Sequence, residues 1–399
     1  MIKKLIYYLI IFATLMTLIP LENSYAIPAF ARKYKFSCNT CHIAAPKLKA
    51  YGDEFAGNGF MIPDGEEPKR AYVNTGDESL LLMRELPIAV RFDGYVQVAD
   101  REDAKTDFEA PYGIKLLSGG PISKHVSYYF YFYIAERGEV AGVEDAIIHF
   151  NNIGNSEFDL ALGQFQVSDP LFKRELRLTF EDYLIYKAKP GVTDSSFKSG
   201  ADLTYDRGLI ATYGFDFGLD LTGMIVNGNG IKEATEDRLF DFDNGKSYAL
   251  RAIQGIGAVN IGAFVYYGQE SRKHSSGQRI DNDITIYGPD ISVGSDIWEL
   301  NGQYLFREDK NPSFLSSAQR VETSGGFAEL VYMPQADQSR FIFTLLYNRI
   351  ESDDLRQDYE TATFSVSHMA ARNLRILSEI TYDLVNEKPR FTVGVSSAF

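Results

Sequence analysis

The chain holds only two cysteines in 399 residues, and they fall in one short stretch, Cys38-Asn39-Thr40-Cys41-His42. At this spacing two thiols can add to the two vinyl groups of one porphyrin, and the next residue can turn its imidazole to the iron. Cys38 and Cys41 are therefore the expected covalent attachment points of a single haem c, with His42 as an axial ligand. Two other chemistries use paired cysteines. A redox dithiol would sit in a thioredoxin-like βαβ pattern, which the flanking sequence lacks. A zinc site would need a second ligand pair nearby, and none follows.

The ligand opposite His42 is the open question. Met61 lies nineteen residues on, beyond a helical stretch and Gly59, so the chain can fold back and offer a thioether. A thioether opposite histidine would raise the reduction potential. Met83, Lys47, Lys49 and the downstream histidines His125, His149, His274 and His368 stay open as alternatives. No Gly-rich phosphate loop or nucleophile elbow stands elsewhere. The acidic clusters, such as Glu233 to Asp243, read as a solvated rim.

Three segments must position this motif. Residues 1–26 read as a secretory signal: Lys3 and Lys4, an apolar run from Leu5 to Ile19, and small residues at Ser24-Tyr25-Ala26. Removing them moves the net charge from -14 to -15, which excludes a nucleic-acid binder. Residues 27–86 form a small segment with a helical pattern over Pro46–Asn58, where Leu48, Tyr51, Phe55 and Ala56 share one face. Eight basic and eight acidic residues balance here, so the whole negative charge lies in residues 87–399. About sixty residues make a marginal core. This segment is expected to borrow walls from the rest of the chain.

From Pro87 onward the pattern has period two. Val90, Phe92, Val96 and Val98 alternate with Arg91, Asp93, Tyr95 and Gln97, and similar runs recur to Phe391, Val393, Val395, Ser397 and Phe399. The mature chain lacks any apolar run long enough for a spanning helix. It has 25 Tyr and 28 Phe against one Trp, and 33 Gly. An exported chain of this kind reads as an outer-membrane β-barrel, antiparallel, of about sixteen strands, with alternating short turns and long loops. The alternating final strand, ending on Phe399, suits closure against the first and resembles the C-terminus that outer-membrane insertion machinery reads. The stretch Ser168–Asp206 is too long for a plain loop. Leu176–Phe180 and Tyr183–Tyr186 within it could be strands, and it either enters the lumen or extends the barrel.

The residues 27–34 (Ile-Pro-Ala-Phe-Ala-Arg-Lys-Tyr), the haem motif, Pro46-Lys47-Leu48, Gly52, Phe55 and Gly59-Phe60 together resemble the fused monohaem cytochrome–porins. These are outer-membrane proteins best known from bacteria that oxidise ferrous iron. The resemblance covers residues 27–63 by motif and the remainder only by architecture. It implies that the cytochrome segment plugs the barrel. It further implies that electrons pass through its haem between an extracellular donor or acceptor, Fe(II) among them, and a periplasmic carrier. Cys38, Cys41 and His42 carry over to the family's haem residues. Two other functions remain: a transport barrel whose haem segment is a gate or structural plug, and a haem reductase or peroxidase. Iron oxidation as a turnover activity is left open.

Overall fold

The computed structural model describes residues 29–399 apart from 63–71, 74, 78, 81, 85, 102–103, 141, 193–194, 196–197, 242 and 274–276. The signal stretch 1–26 and His274 lie outside the described residues.

The period-two pattern becomes sixteen strands closed into one barrel. In chain order they are β1 (Ile88–Ala99), β2 (Thr106–Ser123), β3 (Val126–Glu136), β4 (Val143–Phe150), β5 (Phe158–Gln166), β6 (Tyr205–Gly214), β7 (Leu219–Val226) and β8 (Ser247–Ile256). Then come β9 (Val259–Lys273), β10 (Arg279–Ser295), β11 (Trp298–Asp309), β12 (Val321–Tyr332), β13 (Phe341–Ser352), β14 (Tyr359–Ala371), β15 (Leu374–Asp383) and β16 (Lys388–Ala398). Every neighbour is antiparallel, and β16 closes on β1 with Arg390 opposite Ala99 and Ala398 opposite Arg91. The last residue takes part: Phe399 N donates to Val90 O at 2.9 Å and Val90 N to Phe399 O at 2.7 Å. Closure leaves no edge strand, so each backbone group in the hydrocarbon has a partner.

The tightest turns (124–125, 257–258, 296–297 and 372–373) and the longest connections (167–204 and 227–246) lie at opposite ends of the barrel, though several connections do not follow the expected short–long alternation. The chain enters and leaves the barrel at the tight-turn end, which is periplasmic in such barrels. The strands β9 and β10 are long and pair as far as Lys273 with Arg279.

On β13 the alternation is plain. Leu345 is 51% exposed and faces lipid, as Phe341 and Tyr347 do, while Ile342, Thr344, Leu346, Asn348 and Ile350 are buried inward. The inward set is a departure from a water-filled channel. Phe264, Ile284, Leu305, Phe327, Leu346 and Ile350 from the β9–β13 wall pack as one apolar core. Its other half comes from the long connection between β5 and β6. That connection follows the ladder briefly (Val167 N to Thr204 O, 2.7 Å), then enters the lumen and packs Leu171, Tyr183, Ile185, Tyr186 and Leu203 onto the wall. Neither stretch that could have been a strand is one: Leu176 ends a 3₁₀ turn, Arg174–Leu176, and the chain is irregular on to Phe180, while Leu184–Tyr186 lie in a second 3₁₀ turn, Leu184–Lys187. Ring stacking of Tyr183 on Phe327 at 4.0 Å marks the contact.

The N-terminal segment is helical in short pieces: α1 (Ala29–Tyr34), α2 (Cys38–Cys41) and α3 (Ala50–Gly57). The helix expected from Pro46 starts later, because His42–Ala44 and Lys47–Leu48 form a two-stranded ribbon around Pro46. Its core is aromatic. Phe30 stacks on Phe60 at 5.0 Å, and Phe55 meets Phe30, Tyr34 and Phe60 edge-on at 5.3, 5.5 and 5.8 Å.

Candidate haem site in the barrel lumen

Cys38 and Cys41 stand one helical turn apart on α2, which places both thiols on one face. Neither is in a disulfide, and burial pushes both thiols above their ordinary pKa. His42 follows directly, and its Nδ1 lies 3.0 Å from Pro46 O. A carbonyl only accepts, so Nδ1 carries the proton and Nε2 keeps its lone pair. Metal-ligating histidines are fixed in the same way. Burial lowers the pKa of His42, with the hydrogen bond to Pro46 pulling the other way, so the ring is held neutral, as a ligand must be.

The turn is pinned from behind by α3. Lys49 N donates to Cys41 O at 3.0 Å, and Gly52 passes so close that a Cβ there would collide with the Cys41 carbonyl oxygen. Gly52→Ala is therefore expected to cost about 1–3 kcal/mol through local displacement of Cys41 and His42. Gly57→Ala, on the same helix with open space around it, should be harmless. Haem content per barrel, measured by absorbance, checks the pair: the first variant should lose haem and the second should not.

Cys38, Cys41 and His42 line one cavity of about 280 Å³. The segment supplies Phe30, Phe36, Leu48, Phe55 and Phe60, and the barrel supplies Ala89, Leu117, Tyr129, Leu374 and Ala398. These barrel residues lie near the short turns, so the cavity occupies the periplasmic half of the lumen. An apolar wall carrying two thiols and one neutral imidazole fits a covalently held porphyrin.

Met61 is buried at 5% exposure, yet it is not among the residues lining the cavity; Met369 of β14 is. His125, His149 and His368 do not line it, and neither does Met83. Lys47 is engaged elsewhere, 3.0 Å from Glu299 and 3.2 Å from Glu329, and Lys49 is 2.7 Å from Asp337. Burial alone would lower the Lys47 ammonium, but Glu329 and Glu299 outweigh it and hold it above its ordinary pKa. These pairs tie the segment to β11, β12 and the turn after β12. On the opposite side Phe60 stacks on Tyr129 of β3 at 4.7 Å, and Gly59 sits where any Cβ would strike Ser127. The marginal segment does borrow its walls from the barrel.

A second, polar cavity of about 220 Å³ lies next along the lumen. The height order follows β1: Ala89 and Arg91 line the first cavity, and Arg91, Asp93 and Tyr95 the second. Arg91, Glu175, Tyr205 and Arg375 line both. Glu175, from the inward connection, accepts from Lys115 Nζ at 2.8 Å, Tyr133 OH at 3.0 Å and Tyr131 OH at 3.2 Å. In the sequence Arg91 and Asp93 stand only as the residues alternating with Val90 and Phe92, with no role assigned. A charged residue in the inward register of an otherwise apolar strand was the signal. Among the described residues, no group of three or more His, Cys, Asp or Glu side chains gathers to hold a metal ion.

Solved structures similar to this chain are outer-membrane porins. An anion-selective porin from Comamonas acidovorans matches with a TM-score of 0.55 at 10% identity, over 79% of this chain and 99% of the porin. OprB of Pseudomonas putida matches at 0.55 and 10%, over 78% and 94%. OmpT of Vibrio cholerae matches at 0.51 and 10%, over 80% and 100%. At these identities the likeness is one of fold. No protein-family model and no curated protein matches the sequence. The chain forms a closed sixteen-stranded barrel of the porin fold, and its place is the outer membrane.

Proposed function

We propose that this outer-membrane barrel is an electron conduit, holding one haem c in its lumen and passing electrons between an extracellular redox partner and a periplasmic carrier. The observation that carries the reading is the convergence of Cys38, Cys41 and His42 on an apolar cavity walled by the barrel, with His42 Nδ1 tied to Pro46 O at 3.0 Å. Haem c, when bound, supplies a one-electron iron couple. The chain's own residues do the rest. Cys38 and Cys41 would tether the porphyrin, and Nε2 of His42 would ligate the iron. Met369 is the methionine on the cavity wall that could face it, in place of Met61. Phe30, Phe55 and Phe60 exclude water.

Position matters because the hydrocarbon band is roughly 25 Å tall and insulating. A cavity inside the lumen shortens that gap, and its place near the short turns leaves the periplasmic mouth for a soluble carrier. The filled lumen also favours a conduit over a wide solute path. The resemblance to fused cytochrome–porins points to ferrous iron as one donor.

The reading is tested in intact cells. Adding Fe(II) or another reductant that does not cross membranes should reduce the haem within the assay; a haem blind to every external reductant would refute it. Ligation is read from the purified protein. Met369→Ala should abolish the weak long-wavelength band of a thioether–iron bond, and Met61→Ala should leave it; the reverse pattern returns the role to Met61.

A second reading is favoured by the likeness to porins. Here the barrel passes solutes, and the N-terminal segment is a gate or plug. It requires conductance in planar bilayers that changes with the redox state of the haem.

A further inference from the structure

Arg375 on β15 is a buried cation without a counterion. It is 3% exposed, and among the described residues it forms no ion pair. Its Nη1 donates to Leu178 O at 2.5 Å and to Ser367 Oγ at 3.2 Å, both neutral, and its Nε is buried with no partner at all. The carboxylates in electrostatic range are committed elsewhere. Asp93 lies 3.0 Å from Arg91 and 3.5 Å from Lys115, and Glu379 accepts from Phe180 N at 2.7 Å and Glu181 N at 3.0 Å. An unpaired buried guanidinium is costly, so a chain that keeps one has an anion to meet it.

The shape of the lumen says which anion. Arg375 lines the cavity that also holds Cys38, Cys41 and His42. A porphyrin of the haem c type carries two carboxylates. Of the other cations on that cavity Arg91 is paired with Asp93, Arg372 donates to Asp337 O and Gln338 Oε1, and Lys173 is only half-buried, so among the described residues Arg375 is the buried cation there with no carboxylate on it. The guanidinium stands at the boundary with the polar cavity, which has seven cationic side chains against five carboxylates although the chain as a whole is at -14. The interior of the barrel is thus locally positive at the end of the haem cavity that faces away from the periplasm. A planar guanidinium is suited to receive a carboxylate through two parallel hydrogen bonds.

We infer that Arg375 is the receptor for a haem carboxylate and orients the porphyrin in the lumen with that edge toward the polar cavity. This rests on the haem reading above. Arg375 is a positioning residue, since it touches neither the iron nor a redox partner. Its charge nevertheless acts on the couple. A fixed cation favours the reduced, less positive iron, and the pairing neutralises a carboxylate that would favour the oxidised form.

The test uses the holoprotein with Arg375→Gln and Arg375→Lys, scored by haem content and by potentiometric titration. The Gln variant should keep its thioether-bound haem and show a lower midpoint potential than wild type. The Lys variant, which retains the charge, should lie between them and serves if the Gln variant fails to fold. A haem-loaded Gln or Lys variant with the wild-type potential overturns the inference. A diffusible carboxylate is the other source of the same chemistry. If added acetate shifts the wild-type potential and the shift vanishes in the Gln variant, Arg375 serves a free solute and the inference falls. If wild type holds no haem, the haem reading itself has failed, which the haem content reports separately.

Discussion

Lys47→Ala is expected to free the N-terminal segment from the barrel wall, at a cost of about 3–5 kcal/mol. Among the described residues Lys47 is the only cation on Glu329, which is fully buried on β12, and it also pairs with Glu299 on β11. Removing the ammonium leaves Glu329 with two neutral donors, Tyr183 OH at 2.8 Å and Asn301 Nδ2 at 3.4 Å. The cost is that of a carboxylate left buried without its cation. It corresponds to a rise of about a hundred- to several-thousand-fold in the opening equilibrium of the segment. Protease cleavage between residues 29 and 62 in detergent-solubilised protein measures it. Lys49→Ala is the control: its partner Asp337 is half exposed, and the change should cost under about 1 kcal/mol. Lys47→Ala combined with Glu329→Gln should recover much of the loss, because it removes the stranded charge.

Arg307→Ala should detach the inward connection in the same fashion. Arg307 Nε lies 2.6 Å from Asp309, and both side chains are buried. The same guanidinium donates to Ala188 O at 2.7 Å, Ala201 O at 3.0 Å and Ser199 Oγ at 3.1 Å, all on the connection. The substitution strands Asp309, whose remaining side-chain donor among the described residues is Asn282 Nδ2 at 2.9 Å, and unpairs two carbonyls at once. The expected cost is about 3–5 kcal/mol, paid as local opening rather than collapse of the barrel. New protease sites between residues 173 and 198 report it, alongside unchanged heat-modifiable migration of the barrel. Arg307→Ala with Asp309→Asn should recover only part, since the carbonyls of Ala188 and Ala201 stay unpaired.

The barrel was legible because lipid on one side imposes a strict period of two, and because the alternating residues Phe391 to Phe399 can only be a closing strand. Cys38, Cys41 and His42 could be picked out as a candidate site because they are contiguous in the chain, and they line one cavity. The filled lumen was not legible. Ile342, Leu346 and Ile350 face inward on β13 and look no different in sequence from the lipid-facing Phe341 and Leu345 next to them. Only the partner, the connection carrying Tyr183 and Tyr186, reveals why they are apolar, and its 3₁₀ turns have no periodic signature. The cavity wall was hidden for a related reason. Arg91, Tyr131, Met369 and Arg375 are brought together by closure of the barrel, whereas Met61 was chosen by nearness along the chain.

The central claim is that electrons cross the membrane through this one chain. The most direct measurement places the purified protein in liposomes that enclose a soluble electron acceptor, with a membrane-impermeant reductant such as Fe(II) outside. Wild-type protein is expected to reduce the enclosed acceptor, and a Cys38→Ser, Cys41→Ser variant inserted to the same level is expected not to. Equal rates for the two, or none above protein-free liposomes for the haem-loaded wild type, would contradict the account.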